Sequence, residues 1–369
     1  MRMTLSIFAT GLFFSAALPG CGEPTQDTQD TVPKDDTDTP PDTDDTDTSA
    51  CATATVTFEG SDGSTQDLTA MFQSGDYVTL ALPGTLQVCP GTWYSRVLVR
   101  ADVTVVGLGT APADTVMSGG LSGTILDVAG PAVTLNVSNV TFDRGAGLDV
   151  EHNSGGGGIY CEQEGVVNVS DAIFTANEAN DGPAIYTNDC VLGVTNSSFS
   201  DNVSEDDGGA VTLWDSTASF DQVDIHDNES LDGGGMAIFN SEVTATNLTI
   251  SNNTSSGFSG GIWLYNSHLS LTDGVFSGNS DDSGVYGGGL LVYGSATLER
   301  VSFTGNSAPL GGGIFVYYEG IVSATDCDFS GNSPEDVFAS DGTSEGGTAY
   351  SAGSGATFSC EDNACDLGG

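Results

Sequence analysis

The stretch Gly260-Gly261-Ile262-Trp263-Leu264-Tyr265 opens a unit that recurs along about half of the 369-residue chain. A second alternating segment follows at Leu269 to Leu271, and Phe276-Ser277-Gly278-Asn279 closes the unit. The closing apolar residue recurs every 25 to 27 residues, at Phe174, Phe199, Ile225, Ile250, Phe276, Phe303 and Phe329. A fixed period in this range is typical of a solenoid, in which each repeat is one turn that buries its apolar side against its neighbours.

The alternation of apolar and polar residues within each unit predicts strands. Five and seven places before the closing residue the chain is mostly apolar, as at Leu271 and Leu269, and the positions between are mostly polar, which is the pattern of a half-buried strand. Three places before the closing residue stand Asp171, Asn196, Gln222, Asn247, Asp273, Arg300 and Asp326. Asn and Asp tolerate a left-handed backbone, so we expect a sharp corner there. With the strand after the glycine pair, the sequence predicts an all-β solenoid of about ten turns with three short strands per turn.

An asparagine follows each closing residue at a distance of three places. These residues are Asn177, Asn202, Asn228, Asn253, Asn279, Asn306 and Asn332. Parallel strands of successive turns stack about 4.8 Å apart, so like residues lie above like. We therefore expect a ladder in which each amide satisfies the polar groups of the next. On this interpretation the Asn-x-Ser/Thr matches are turn chemistry rather than glycan acceptors.

The repeated motifs resemble a known family. Gly-Gly-Ala-Val at 208–211, Gly-Gly-Ile at 260–262 and 312–314, and the Phe-x-x-Asn repeats are similar to the paired repeats of the chlamydial polymorphic outer-membrane proteins, over residues 155–335. The resemblance implies a right-handed parallel β-helix of the pectin-lyase-like class, and a surface-displayed protein associated with adhesion. Residues 86–107 look like the opening turns of such β-helices, so we expect one β-helix over 50–369, with a C-terminal cap at 336–369.

The N-terminus has the features of an export signal. Residues 1–20 combine Arg2 with an apolar run from Leu5 to Leu18, which predicts a signal peptide. Gly20-Cys21 resembles a bacterial lipobox and implies lipidation at Cys21; the alternative is an ordinary signal peptide with an incidental cysteine. Residues 21–49 are rich in Asp, Thr and Pro, so we expect a disordered tether. The expected location is the outer membrane, through a lipid anchor, facing the periplasm or the cell surface.

Charge narrows the range of partners. The chain has 51 acidic and six basic residues, and its net charge of −45 excludes nucleic-acid binding because no basic stripe can displace counterions. No cofactor is expected, although the sequence leaves a calcium ion open.

Eight cysteines in an exported chain predict disulfides. The candidate pairs are Cys51–Cys89, Cys161–Cys190 and Cys360–Cys365. Cys327 occupies an inward position of the repeat, so we expect a buried free thiol there.

The strand after the glycine pair also alternates, and it sends aromatic residues outward. The candidate ligand face is formed by Tyr160, Tyr186, Trp214, Phe239, Trp263, Tyr265, Tyr293, Phe315 and Tyr317. Exposed apolar patches usually mark contact surfaces, and by resemblance this face of pectin-lyase-like proteins is where polysaccharide lies. The alternative is that aromatic residues are good strand formers whose stacking stabilises the sheet.

The loops before the glycine pairs are acidic and raise the question of an enzyme. Their carboxylates belong to Asp181, Glu205, Asp206, Asp207, Asp232, Asp281 and Asp282. A glycoside hydrolase needs two such groups, one of them protonated, whereas lyases of this fold, by resemblance, use calcium with an Arg or Lys base. No motif of those enzymes is present, and we assign no catalytic residue. Three hypotheses remain: a surface binding or adhesion module for saccharide or a cell-surface partner, a polysaccharide lyase or glycoside hydrolase, and a passive structural protein.

Overall fold

The computed structural model describes residues 51, 53–147, 155–282, 286–340 and 357–361. The predicted signal peptide, the predicted tether and Cys21 lie outside these residues. Within them the chain is almost entirely β, and like strands of successive turns pair in parallel and in register, as Val211 pairs with Met236 and Met236 with Ile262. The prediction of an all-β parallel solenoid is confirmed.

Each turn contributes three strands, as predicted. The first strands are Tyr77–Leu80, Arg96–Val99, Leu126–Val128, Ile159–Glu162, Ile185–Asn188, Val211–Trp214, Met236–Phe239, Ile314–Tyr317 and Val337–Ser340. The second are Gly84–Val88, Val103–Gly107, Thr134–Ser138, Val166–Ser170, Ile321–Thr325 and Thr357–Glu361, and the third are Gly91–Tyr94, Thr115–Ser118, Thr141–Asp143, Ile173–Thr175, Val275–Ser277, Ser302–Thr304 and Asp328–Ser330. Long strands join the first and second segments at Ile262–Thr272 and Leu290–Glu299, and the second and third at Val191–Ser200, Thr217–His226 and Glu242–Ser251.

A separate five-stranded sheet was not predicted. It is formed by Glu178–Ala179, Val203–Ser204, Glu229–Asp232, Thr254–Phe258 and Ser280–Asp281. These short strands follow the ladder asparagines and precede the glycine pairs, so the loops that carry the candidate carboxylates are themselves stacked in register.

The corners between the second and third strands have the left-handed backbone that the sequence predicted. All seven predicted residues have a positive φ, from 45° at Asn196 to 58° at Asp273. Gln222 and Arg300 adopt this conformation as well, at 56° and 54°. An isolated left-handed residue of this kind is strained, so the surrounding register imposes the corner even where the side chain does not favour it.

The interior is a column of stacked apolar side chains. The rings of Phe174 and Phe199 lie 4.7 Å apart and nearly parallel, as do those of Phe276 and Phe303. Ile225 and Ile250 occupy the turns between them and are fully buried. Each turn therefore buries its apolar side against the next, which is how a solenoid is stabilised.

The N-terminal end of the solenoid is closed by elements that the sequence analysis did not predict. Strand Val56–Gly60 pairs antiparallel with Thr65–Asp67 and with Gly84–Val88, and helix Thr69–Ser74 inserts the fully buried ring of Phe72. A short 3-10 helix, Pro112–Asp114, lies further along. An antiparallel hairpin and a helix cover the open edge to which another strand could otherwise pair.

The glycine pairs are a steric requirement of this stacking. A Cβ atom at Gly209 would lie 1.9 Å from the carbonyl oxygen of Gly234, and one at Gly261 would lie 2.1 Å from that of Gly289. At these two glycines the backbones of neighbouring turns thus approach too closely for a side chain.

Two of the three candidate disulfides are confirmed. Cys51–Cys89 and Cys161–Cys190 are bonded, and Cys327 is a buried free cysteine, as expected. The third candidate, Cys360–Cys365, stays a prediction because Cys365 and the side chain of Cys360 lie outside the described residues.

Candidate functional site

The seven asparagines form a continuous hydrogen-bonded ladder. The Nδ2 of Asn253 donates to the Oδ1 of Asn279 at 3.1 Å, the backbone N–H of Asn253 donates to the same oxygen, and Nδ2 also donates to the carbonyl of Ile225. The same set of bonds links each successive pair. Six of the seven residues are buried, with Asn332 only partly so. The ladder therefore satisfies buried polar groups, and its role in this structure is architectural.

Both ends of the ladder are capped. Gly145, which stands where the preceding turn lacks an asparagine, donates its backbone N–H to the Oδ1 of Asn177 at 2.8 Å. At the other end the Nδ2 of Asn332 donates to the Oδ1 of Asp336 at 2.7 Å. No ladder amide is thus left without a partner where the repeat stops.

The candidate aromatic residues lie on the outer side of the first strands, in two columns. The first column runs through Tyr160 and Tyr186 to Trp263, and the second runs from Trp214 through Phe239. None of the nine candidates belongs to the main hydrophobic core, whereas the residues that alternate with them do. The inward and outward positions of this strand are therefore as predicted.

The prediction that all nine aromatic side chains are exposed is wrong. Tyr160, Tyr186, Phe239 and Phe315 are buried, with at most 9 % of their surface exposed. The physical reason is that loops and neighbouring rings cover these positions. The ring of Tyr186 lies directly against Gly155, and that of Phe239 contacts Trp214 and Trp263. Burial raises the pKa of Tyr160 and Tyr186, and the Tyr160 hydroxyl donates to Glu162.

Stacking between neighbouring rings covers a further part of the aromatic surface. The rings of Trp214 and Phe239 lie 4.0 Å apart with an angle of 17°, so each covers a face of the other. Trp214, a member of the candidate ligand face, therefore has one face of its ring covered by Phe239 and unavailable to a ligand.

The remaining candidates converge on one cleft, which we call the aromatic cleft. It has a volume of ≈ 350 Å³ and is lined by Phe258, Trp263, Tyr265, Tyr286, Leu291, Tyr293 and Tyr317. Leu291 stands between Trp263 and Phe315 in the first column. Because leucine is smaller than the aromatic residues on either side, the column is interrupted there. Tyr265, on the rim, is 41 % exposed.

Three lining residues were not predicted from the sequence: Phe258, Tyr286 and Leu291. Phe258 and Tyr286 come from the loops, four residues before the start of a first strand, and they pair with each other as an isolated bridge. Aligning the turns on the first strand rather than on the closing residue puts both at one position of the repeat. That alignment would have shown aromatic residues at a loop position that is acidic in earlier turns.

In the earlier turns the same loop position carries three aspartates, which we call the acidic column. Asp181, Asp207 and Asp232 occupy consecutive turns, and the backbone of Asp207 bridges to that of Asp232. Burial, with the charges of Asp181, Asp206 and Asp232, raises the pKa of Asp207 to about 8. Burial also raises the pKa of Asp232 to about 6, although the backbone N–H of Phe258 opposes it, and it raises the pKa of Asp181.

Carboxylate oxygens of Asp206, Asp207 and Asp232 lie within 4.8 Å of one another. Carboxylates are the ligands that calcium prefers, so these residues are the donor set that a hard cation would use in the described chain. The proximity has a second consequence without any ion, because like charges held together in a half-buried site favour protonation. Glu205, Asp281 and Asp282 lie elsewhere in the loops and are not members of this group.

Comparison with known proteins bears on the fold. Residues 128–308 match the model of the family described as "Right handed beta helix region". The fold is a right-handed parallel β-helix. No curated protein and no solved structure matched the chain. Among the described residues no helix has the length and apolar character that crossing a bilayer requires.

Proposed function

We propose that this β-helix is an exported binding module that takes saccharide in the aromatic cleft. The observation that carries the proposal is the cleft itself, in which seven apolar and aromatic side chains from neighbouring turns surround ≈ 350 Å³. Pockets of roughly 300–1,000 Å³ lined mainly by apolar and aromatic groups are typical of ligand sites. In the turns that carry Asp181 and Asp232, by contrast, the outward aromatic residues Tyr186 and Phe239 are buried.

Saccharide is the ligand class that suits the lining. The apolar faces of sugar rings pack on aromatic side chains, and the hydroxyls of Tyr265, Tyr293 and Tyr317 supply polar groups at the same opening. A cell-surface glycan also fits an exported protein, and the disulfides Cys51–Cys89 and Cys161–Cys190 support an oxidising compartment.

A glycan array probed with the chain is the first test, followed by titration of each hit against tryptophan fluorescence. Trp263→Leu should weaken binding by roughly tenfold or more, the range for losing a central interface residue. Tyr94→Leu is the matched control, because Tyr94 is an exposed aromatic residue on a third strand, outside the cleft. Equal affinities for both variants and the parent would refute the cleft as the binding site.

Membrane attachment forms a separate part of the proposal. Gly20-Cys21 supports acylation of Cys21, which lies outside the described residues. Cys21→Ser should move the protein from the membrane fraction to the soluble fraction in detergent partitioning. A mutant that remains with membranes would argue against the lipid anchor and leave the cleft proposal untouched. The expectation of no cofactor, with a calcium ion left open, stays a prediction.

A glycoside hydrolase is the second candidate function, and one observation favours it. With a pKa of about 8, Asp207 is protonated near neutral pH beside Asp232, whose pKa of about 6 leaves it ionised, and a protonated carboxyl near an ionised one is the pair that glycoside hydrolysis needs. Release of reducing ends from neutral polysaccharides by the parent but not by Asp207→Asn would support an enzyme. No release over a broad substrate panel would leave the binding module.

A further inference from the structure

Most aromatic pairs in the cleft meet at inclined angles, whereas the rings of Phe258 and Tyr286 are parallel with centroids 6.3 Å apart. At one end Trp263 lies edge-on to Tyr265, with centroids 6.2 Å apart and planes at 69°, and tilted against Phe258 at 5.4 Å and 42°. At the other end Tyr286 and Tyr317 lie 5.6 Å apart at 41°. Inclined rings cover each other's faces only in part, so the cleft retains free π surface at Tyr265, which is 41 % exposed, unlike the stacked pair of Trp214 and Phe239.

The electrostatic setting of the cleft favours a positive ligand. None of its lining residues is Lys or Arg. Arg300 is the single basic residue after position 144, and it is held in ion pairs with Asp273 and Glu299. The buried carboxylate of Asp281 accepts a hydrogen bond of 3.1 Å from the backbone N–H of Tyr286, so an acidic group lies at the base of a lining residue.

These two features together select one class of ligand. We propose that the saccharide bound by the aromatic cleft carries ammonium groups, so that the ligand is an amino polysaccharide rather than a neutral or acidic one. An ammonium ion within about 6 Å of an aromatic face is attracted by the ring quadrupole, and the attraction grows when the ion is desolvated. The overall charge of −45 concentrates cations near the surface and repels uronic acids. This inference rests on the proposed function, since it names the substrate class of the same site.

The test compares three oligosaccharides of equal length with the full chain: a glucosamine hexamer, a glucose hexamer and a galacturonic acid hexamer. At physiological salt and a pH that keeps the amine charged, the glucosamine hexamer should bind about tenfold more tightly than the glucose hexamer, corresponding to a cation–π gain of roughly 1.4 kcal/mol. The galacturonic acid hexamer should show no binding. Raising the pH until the amine is neutral should remove the tenfold preference.

General attraction between a polycation and an acidic protein would mimic this result, so the preference must depend on the rings. Trp263→Leu and Tyr293→Leu should each reduce the preference for glucosamine, whereas Tyr94→Leu should leave it unchanged; two cleft variants guard against the loss of one to misfolding. A preference that survives both cleft substitutions would overturn the inference. Equal binding of the glucose and glucosamine hexamers would overturn it while leaving saccharide binding intact, and binding of no sugar at all would overturn the proposed function as well.

Discussion

The acidic column and the aromatic cleft occupy the same loop position in consecutive turns of one solenoid. Asp181, Asp207 and Asp232 hold this position in three turns, and Phe258 and Tyr286 hold it in the next two. The backbone connection is the same throughout, because the residue after each of them donates its N–H to the corresponding carbonyl of the following turn, as Gly208 does to Asp232 and Ser259 to Tyr286.

This difference shows that one set of residues specifies the backbone of the solenoid and another specifies the chemistry at the loop position. Glycine pairs, asparagines and inward apolar residues recur in both regions and fix the backbone. The side chain placed at the loop position then decides whether that backbone stacks carboxylates, which resist being charged, or rings, which enclose a cleft. A repeat architecture allows this because each turn contacts only its neighbours.

The largest expected effect comes from disrupting the asparagine ladder, which both regions share. Asn253→Leu should lower the free energy of unfolding by about 3 kcal/mol, because an unsatisfied buried group costs about 1–3 kcal/mol. The backbone N–H and Nδ2 of Asn228 lose their shared acceptor and the carbonyl of Ile225 loses a donor, whereas the Oδ1 of Asn279 keeps the backbone N–H of residue 253. Denaturant unfolding measures the change.

The control for this variant is Asn168→Leu. Asn168 is an exposed strand residue whose Nδ2 donates to the Oδ1 of Asn136 at 3.0 Å. It resembles the ladder in its bonding but not in its burial, so its replacement should change stability little. Similar losses for the two variants would mean that burial is not what makes the ladder important.

The acidic region should respond to pH in a way that the aromatic region cannot. Because the pKa of Asp207 is about 8 in the fold and about 3.8 when unfolded, the folded chain binds more protons between these values and its stability falls as pH rises from about 4 to about 8. Asp207→Asn should stabilise the protein by on the order of 2 kcal/mol at pH 8.5 and hardly at all at pH 4, because hydration and relaxation moderate the cost of the buried charge. Melting temperatures across this range test the claim, and a gain that is equal at both pH values would contradict it.

A smaller effect is expected one turn further on. The pKa of Asp232 is about 6, so its contribution to stability should fall between about pH 4 and about pH 6 and be constant above that. Asp232→Asn should therefore stabilise by about 1 kcal/mol at neutral pH. Asp224→Asn, at an exposed strand position, serves as the control. If both substitutions shift the melting temperature alike, the gain reflects lower net charge rather than the column.

Much of this structure could be predicted from the sequence because the same residue pattern recurs in successive turns. The period, the three strands, the left-handed corners and two disulfides follow from spacing and residue type, and the fold is confirmed in each of these respects. Alternation also assigned the outward side of the first strand, since a strand has only two faces.

The sequence did not determine which of the outward aromatic side chains are exposed to solvent. Tyr186 and Phe239 have the same strand pattern as Trp263 and Tyr265, yet the first two are buried and Tyr265 is exposed. Exposure here depends on the loop or ring that a neighbouring turn, tens of residues away, places over each side chain, as Gly155 lies against Tyr186 and Trp214 against Phe239, and no local period records this.

The sequence by itself thus determined the solenoid, because each turn repeats a local rule that depends only on residue type and spacing. Only the tertiary structure decided where the chain offers a site. Phe258, Tyr286 and Leu291 come from loops and strands of neighbouring turns, and they form a cleft with Trp263 because stacking places these turns in contact. Such a contact is a property of the assembled coil rather than of any one repeat.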